Sequence, residues 1–211
     1  MSGISVLDLQ NHDLYFKRIP RVDKKKKPIW SRKELAGRLC ELSSIYGTAQ
    51  LTAAFQLVLD AQFEGEPTAW ITTTLDTFFA PDAAEGGVDL DALVVIHVPN
   101  TAAATRAADR ILQSGGFGLV VMDLHSDSRI PIPMQMRLVQ QVREHNTAFL
   151  CLTIKSKDMP SLGPMVSLRG QTSCRRLTVG RFQYEIEVLK DRSYGPGWHY
   201  AEICRGPDGL H

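Results

Sequence analysis

From Gly37 onward the chain alternates two hydrophobic patterns. Short, continuous apolar runs occur at residues 38–43, 68–73, 91–98 (with Leu93-Val94-Val95-Ile96 at their centre), 118–123 and 147–154. Between them, apolar residues recur at helical spacing. Leu51, Ala54, Phe55 and Val58 do so within 50–62, and Ala104, Ala107, Ala108 and Ile111 within 101–113. A third helix is expected over 133–145, with Pro133 suited to its first turn. Gly65 and Gly115-Gly116 stop the first two. Strands that are apolar throughout need cover on both faces. The alternation therefore predicts an α/β fold, a mostly parallel central sheet flanked by helices. The final third reads differently. Residues 173–179, 182–189 and 198–204 are strand-like and joined by turn segments, which predicts a C-terminal antiparallel extension of one sheet edge.

The first 36 residues read as a basic, partly flexible arm on a core of residues 37–211. Leu7, Leu9, Leu14, Tyr15, Phe16 and Ile19 form short apolar clusters, suited to packing on the chain's own sheet or on a partner. Pro20 and Pro28 bracket the run Lys24-Lys25-Lys26-Lys27 and argue against one continuous helix. Ser31-Arg32-Lys33-Glu34 fits a capping box, and Gly37 keeps any helix there short.

Composition narrows the class. With 211 residues, 44% of them apolar and 22% charged, the chain suits one large globular domain. No apolar run approaches the ~20 residues of a membrane helix, so no membrane association is expected. Residues 1–10 lack a basic region followed by an apolar stretch, so no signal peptide is expected either. Cys40, Cys151, Cys174 and Cys204 form no C-x-x-C pair and read as free structural thiols in a cytoplasmic protein. The net charge of +1 is unevenly spread, because residues 1–33 carry nine Lys and Arg against three Asp. A basic arm on a mildly acidic body implies an oppositely charged partner, nucleic acid or an acidic protein face.

The segment that follows the first strand occupies the position of a phosphate-binding loop, with pattern G-x-x-x-x-G-K-[ST]. Here the first glycine is Ser44 and the second is Ala49; Gly47 lies between them. The lysine slot holds Gln50 and the hydroxyl slot holds Leu51. Gln50 brings no charge to phosphates and Leu51 brings no oxygen to magnesium. Asp123 closes an apolar strand where a Walker B carboxylate sits, and without Lys and Thr partners it reads as a hydrogen-bonded aspartate, not a magnesium ligand. Its neighbours His125 and Asp127 read as a polar loop, and His97 as a core histidine. No nucleotide, metal or other cofactor is expected, and no catalysis.

Several segments together resemble the core of the RecA recombinase over residues 37–190. Gly37-Arg38-Leu39-Cys40-Glu41-Leu42 matches the strand before its phosphate loop, and Ala61-Gln62-Phe63-Glu64-Gly65 the end of the following helix. Gly87-Val88-Asp89-Leu90-Asp91-Ala92-Leu93, Leu119-Val120-Val121-Met122-Asp123 and Val188-Leu189-Lys190-Asp191-Arg192 match later segments in order. The resemblance implies a RecA-like P-loop core. It departs where RecA is catalytic: the family's glutamate falls near Thr74, and the two DNA-lining loops shrink to residues 125–132 and 155–168. A short RecA-like chain with an emptied phosphate loop is similar to the ImuA family, whose F-x-P-x-x-x-x-x-G-V-D pattern resembles residues 78–93. That resemblance implies a non-catalytic adaptor in SOS mutagenesis and translesion synthesis, nucleoid-associated at damage. Its implied partners are RecA, an ImuB-type Y-family-like polymerase subunit and an alternative replicative-type polymerase. Two other readings stay open: a RecA-like cell-division inhibitor, and a module that binds single-stranded DNA weakly and recruits the mutagenic polymerase. For the last, the candidate contacts are Lys24, Lys25, Lys26, Lys27, Arg169, Arg175, Arg176 and Arg181; a solvated tether and a solvated strand face are the competing readings.

Overall fold

The computed structural model describes residues 28–45, 48–73, 78–124 and 128–205. Their strands form one eight-stranded sheet in the order β3-β2-β4-β5-β1-β6-β7-β8. The strands are β1 (Arg38–Ser44), β2 (Thr68–Thr72), β3 (Leu93–His97), β4 (Leu119–Asp123), β5 (Ala148–Ile154), β6 (Leu168–Thr178), β7 (Arg181–Asp191) and β8 (His199–Arg205). The helices are α1 (Arg32–Leu35), α2 (Thr48–Phe63), α3 (Ala80–Glu85), α4 (Thr101–Ser114) and α5 (Ile132–Glu144). The first five strands pair in parallel, as their continuous apolar runs predict.

Both faces of the central parallel strands are covered, whereas the edge strand β3 exposes Val94 and His97, so His97 is not the core histidine the sequence suggests. Cys40, Leu42, Trp70, Leu119, Val121, Leu150 and Leu152 pack under α2 and α3. Leu39, Ala69, Ile71, Val120, Met122, Phe149 and Cys151 pack under α4 and α5. Burial pushes the Cys40 thiol up to about 12, and both central thiols are inert packing groups. On the α2 face, Phe55 stacks on Trp70 at 5.0 Å, and the Phe78 ring stands 5.5 Å from that of Trp70.

Local chemistry sets the helix ends. Asn100 Oδ1 accepts from the Ala103 amide at 2.9 Å and caps α4. Gly115 ends α4 with φ +67°, and a Cβ there would meet His145 Nδ1 at 2.7 Å, so glycine is required twice over. Ser31 caps α1 through the Glu34 amide, as the capping box predicts. Arg32 then fixes α1 to the end of α2, with Nε on Glu64 at 2.7 Å and Nη2 on Glu66 at 3.1 Å. Trp30 and Leu35 are core residues, so the described part of the N-terminal segment packs on the body.

β6 joins the two halves of the sheet. Over Leu168–Gln171 it runs parallel to β1, and along its length it pairs antiparallel with β7. Gly170 permits this close layering: a Cβ there would stand 2.7 Å from Ile186 Cγ2. The antiparallel edge expected from the sequence is present as β6-β7-β8, but β6 starts at Leu168, ahead of the expected residue 173. The sequence pattern makes no prediction for α3, which has Pro81 in its first turn and ends at Gly86. No described helix is long and apolar enough to cross a membrane.

Candidate functional site

In a sheet of this kind ligands bind beyond the carboxyl ends of the strands, where neighbouring connections leave to opposite faces. Here β1 leads into α2 on one face, while its neighbour β5 leads into residues 155–167, whose Leu162, Met165 and Val166 pack on the other. The same divergence occurs between β2 and β4. The strand ends are level: Ser44 is in register with Ile154, and Thr72 with Asp123.

Alternation along the strands turns Ser44, Thr72 and Asp123 toward the face that α2 covers, beside the start of that helix. The start of a helix offers amide donors to an anion. In this chain the described residues at this place are buried. Ser44 is 3% exposed, Gln50 2%, Thr72 0% and Asp123 4%. Gln50, in the lysine slot, lies in the first turn of α2 with its side chain buried. Its Oε1 finds no hydrogen-bond partner among the described residues. Leu51, in the hydroxyl slot, packs against the core, and Ala49 is buried in it. Gly47, Thr74, His125 and Asp127 lie outside the described residues, as do Lys24, Lys25, Lys26 and Lys27.

The connection at 155–167, where the resemblance implies a DNA-lining loop, is pinned from within. Lys155 Nζ donates to the Pro160 carbonyl at 2.7 Å. Arg169 donates from Nη1 to Met159 O at 2.5 Å and from Nη2 to Ser156 O at 3.1 Å. Beneath the loop, Glu41 is fully buried. Its Oε1 pairs with Lys155 Nζ and accepts from Thr153 Oγ1 at 3.0 Å. Its Oε2 accepts from the Leu162 amide at 2.8 Å and lies 4.0 Å from Arg169 Nε. A scan against family models and a search of the curated proteins both find no match for this chain.

The eight basic candidates thus divide. Arg169 is buried and committed to internal carbonyls and to Glu41, whereas Arg175, Arg176 and Arg181 are exposed on β6 and β7. Two features escaped sequence reasoning. The triad of Glu41, Lys155 and Arg169 was signalled by a carboxylate inside an apolar strand, since a buried charge needs a partner. Arg205 stands directly across from Arg181, a pairing visible only once β8 is in register. Among the described residues, no group of three His, Cys, Asp or Glu is placed to hold a metal ion. Residues lining a shallow depression between the ends of α4 and α5 (Gln113, Arg137 and His145 among them) lie at the opposite, amino edge of the sheet.

Proposed function

We propose that this chain is a RecA-like adaptor that does not hydrolyse ATP. On this reading it serves damage-induced mutagenesis in the manner of the ImuA family, at the nucleoid in the cytoplasm. It docks RecA and an ImuB-type polymerase subunit, with an alternative replicative-type polymerase as a further partner. The observation that carries the reading is the burial of Gln50, and the packing of a half-buried Leu51 against the core, at the start of α2. A nucleotide site needs a charged side chain and a hydroxyl facing an open cradle at that helix start. Here an uncharged amide is turned inward and a leucine is packed down.

Three further observations support it. β1, the helix start and the Asp123-bearing end of β4 share one edge of the sheet, in the order of the segments that resemble RecA. The loop in the DNA-lining position is short and held by side chains of its own fold. The charge of the first 33 residues gives such an adaptor a tether toward acidic partners. Titration calorimetry tests both halves of the proposal. Magnesium-ATP is expected to give no heat, and RecA or the polymerase subunit saturable heat on the same sample. Clear ATP binding overturns the closed-site argument; failure to bind either protein removes the adaptor function.

A further inference from the structure

The sheet ends at β3 and β8. The outer side of an end strand presents backbone donors and acceptors that have no ladder partner. On β8 these groups are identifiable. The Val188 amide donates to Trp198 O at 3.0 Å, and from Glu187–His199 to Arg181–Arg205 the β7–β8 register runs without a shift. Backbone bonds alternate along an antiparallel pair. Tyr200, Glu202 and Cys204 therefore bond to β7, while His199, Ala201, Ile203 and Arg205 turn their amides and carbonyls to the open edge. Natural sheets guard such an edge with charge, proline or a bulge. β8 has neither proline nor a shift in register, and its charges are arranged to select a partner rather than to exclude one.

Side chains two residues apart in a strand share a face. The face that carries His199, Ala201, Ile203 and Arg205 also carries Arg175 of β6 and Arg181, Gln183, Glu185 and Glu187 of β7. It is polarised along the strands. Arg175, Arg181 and Arg205 stand at the end next to the β6–β7 turn, all exposed. Glu185 and Glu187 stand toward the other end. Their existing pairs use one oxygen each: Glu185 Oε1 bonds to His199 Nδ1 at 2.9 Å, and Glu187 Oε2 lies 3.4 Å from Lys157 Nζ. Like charges directly across a strand pair repel, and opposite ones attract. A strand with the same gradient, added parallel to β8, would bring arginine to arginine. Added antiparallel, it brings each basic end to the other's acidic end.

We propose that β8 pairs antiparallel with β8 of a second copy of this chain, across a two-fold axis that closes the assembly as a dimer. One register uses every outward backbone group. It sets His199 opposite Arg205 of the second copy and Ala201 opposite Ile203 of the second copy, with the axis at Glu202. Arg205 then lies in one row with Glu187 of the second copy, two strand spacings or about 10 Å away, within reach of a guanidinium. Ile203, 54% exposed in the single chain, gains an alanine neighbour at the centre of this face. The two Glu202 side chains meet on the other face. Each is held toward β7, its Oε2 accepting from Tyr184 Oη at 2.7 Å and from Tyr200 Oη at 2.8 Å. The other end strand, β3, carries no Asp, Glu, Lys or Arg and so has no comparable gradient. The proposal does not depend on the adaptor reading.

Sedimentation velocity of the full chain, over a wide range of concentration, tests the stoichiometry. A reversible monomer–dimer equilibrium is expected. A monomer at every concentration overturns the proposal, and so does an open series of larger species. Ala201→Pro removes an outward amide that β7 does not use. It is expected to weaken the dimer by about tenfold or more while leaving the circular dichroism spectrum unchanged. Undiminished affinity in this variant assigns self-association to another surface. A single cysteine reads the register. In a Cys174→Ser, Cys204→Ser background, where the remaining thiols are buried, Glu202→Cys is expected to form an intersubunit disulfide on mild oxidation. A residue on the axis meets its own copy within bonding distance. No crosslink at this position overturns the pairing even if the protein is dimeric. Arg205→Glu leaves the backbone intact and sets a carboxylate in the row of Glu187. It should weaken the dimer by about fivefold, and adding Glu187→Arg should reverse the loss. No reversal contradicts the charge complementarity on which the choice of partner rests.

Discussion

At the scale of single residues, Glu41 is the most consequential side chain outside the apolar core. A carboxylate with no exposure is tolerated because Lys155, Thr153 and the Leu162 amide use its oxygens and Arg169 adds a second positive charge nearby. Glu41→Gln keeps the shape and removes the charge, which strands two buried cations. The expected loss is about 3–5 kcal/mol in urea unfolding; a loss within error of zero would mean that the triad is hydrated in solution. A second residue-scale prediction concerns alkaline pH. Burial raises Cys40 from 9.0 to about 12. Burial and then the hydrogen bond to Glu202 raise Tyr200 from 10.0 to about 12, and the same two causes raise Tyr184. A raised folded value means that the unfolded chain releases its proton first. The contribution is complete below the unfolded values, so stability stays level through pH 8 and falls between pH 9 and 12. Melting temperatures across that range check the sign, and Tyr184→Phe should flatten part of the fall.

At the scale of elements, the strands and long helices of the parallel core were legible because each carries a single unmixed pattern. The run Leu119-Val120-Val121-Met122-Asp123 allows one reading, and the structure places β4 on it. The start of β6 was not legible. Arg169-Gly170-Gln171 looks like polar loop, yet each residue is buried by a distant partner: Arg169 by Glu41, Gly170 by Ile186 and Leu42, Gln171 by Ser43. Tertiary pairing overrides local pattern there. The burial of residues at this strand edge was half legible. The sequence shows which groups are missing from the loop, but not that Gln50 turns into the core. This leads to a prediction for α2. Writing the motif into the positions that resemble a phosphate loop, with Gln50→Lys and Leu51→Thr, should not produce ATP hydrolysis, because the Gln50 position is buried and Ser44 stands where the motif has its first glycine. The double variant should instead lose roughly 1–2 kcal/mol from the leucine's lost packing. Magnesium-dependent phosphate release above background would refute this.

At the scale of the whole molecule, the question is whether the antiparallel extension folds with the parallel core or apart from it. β6 belongs to both ladders, so the sheet is hydrogen-bonded without a break from β3 to β8. A second tie lies beside this junction, where Asp191 is in register with Leu168. Asp191, at the end of β7, accepts from Arg38 Nη2 at 2.6 Å, so the first residue of β1 is held by the last residue of β7. The same carboxylate takes the Trp198 indole N–H at 3.0 Å and the Ser193 amide at 2.8 Å, which organises the connection into β8. A strand pair whose base is joined to the core both through its ladder and through a buried ion pair is expected to melt with the core. The three tryptophans report on this directly, since Trp30 and Trp70 lie under the α2 face while Trp198 lies on the extension. Unfolding in urea, followed by far-ultraviolet circular dichroism and by the fluorescence of variants that retain only Trp70 or only Trp198, should give coincident transitions. Arg38→Ala should shift both curves together to lower denaturant. An earlier transition at Trp198 alone would show that the arginine-bearing strands open separately, and that the face on them is set by local rather than global stability.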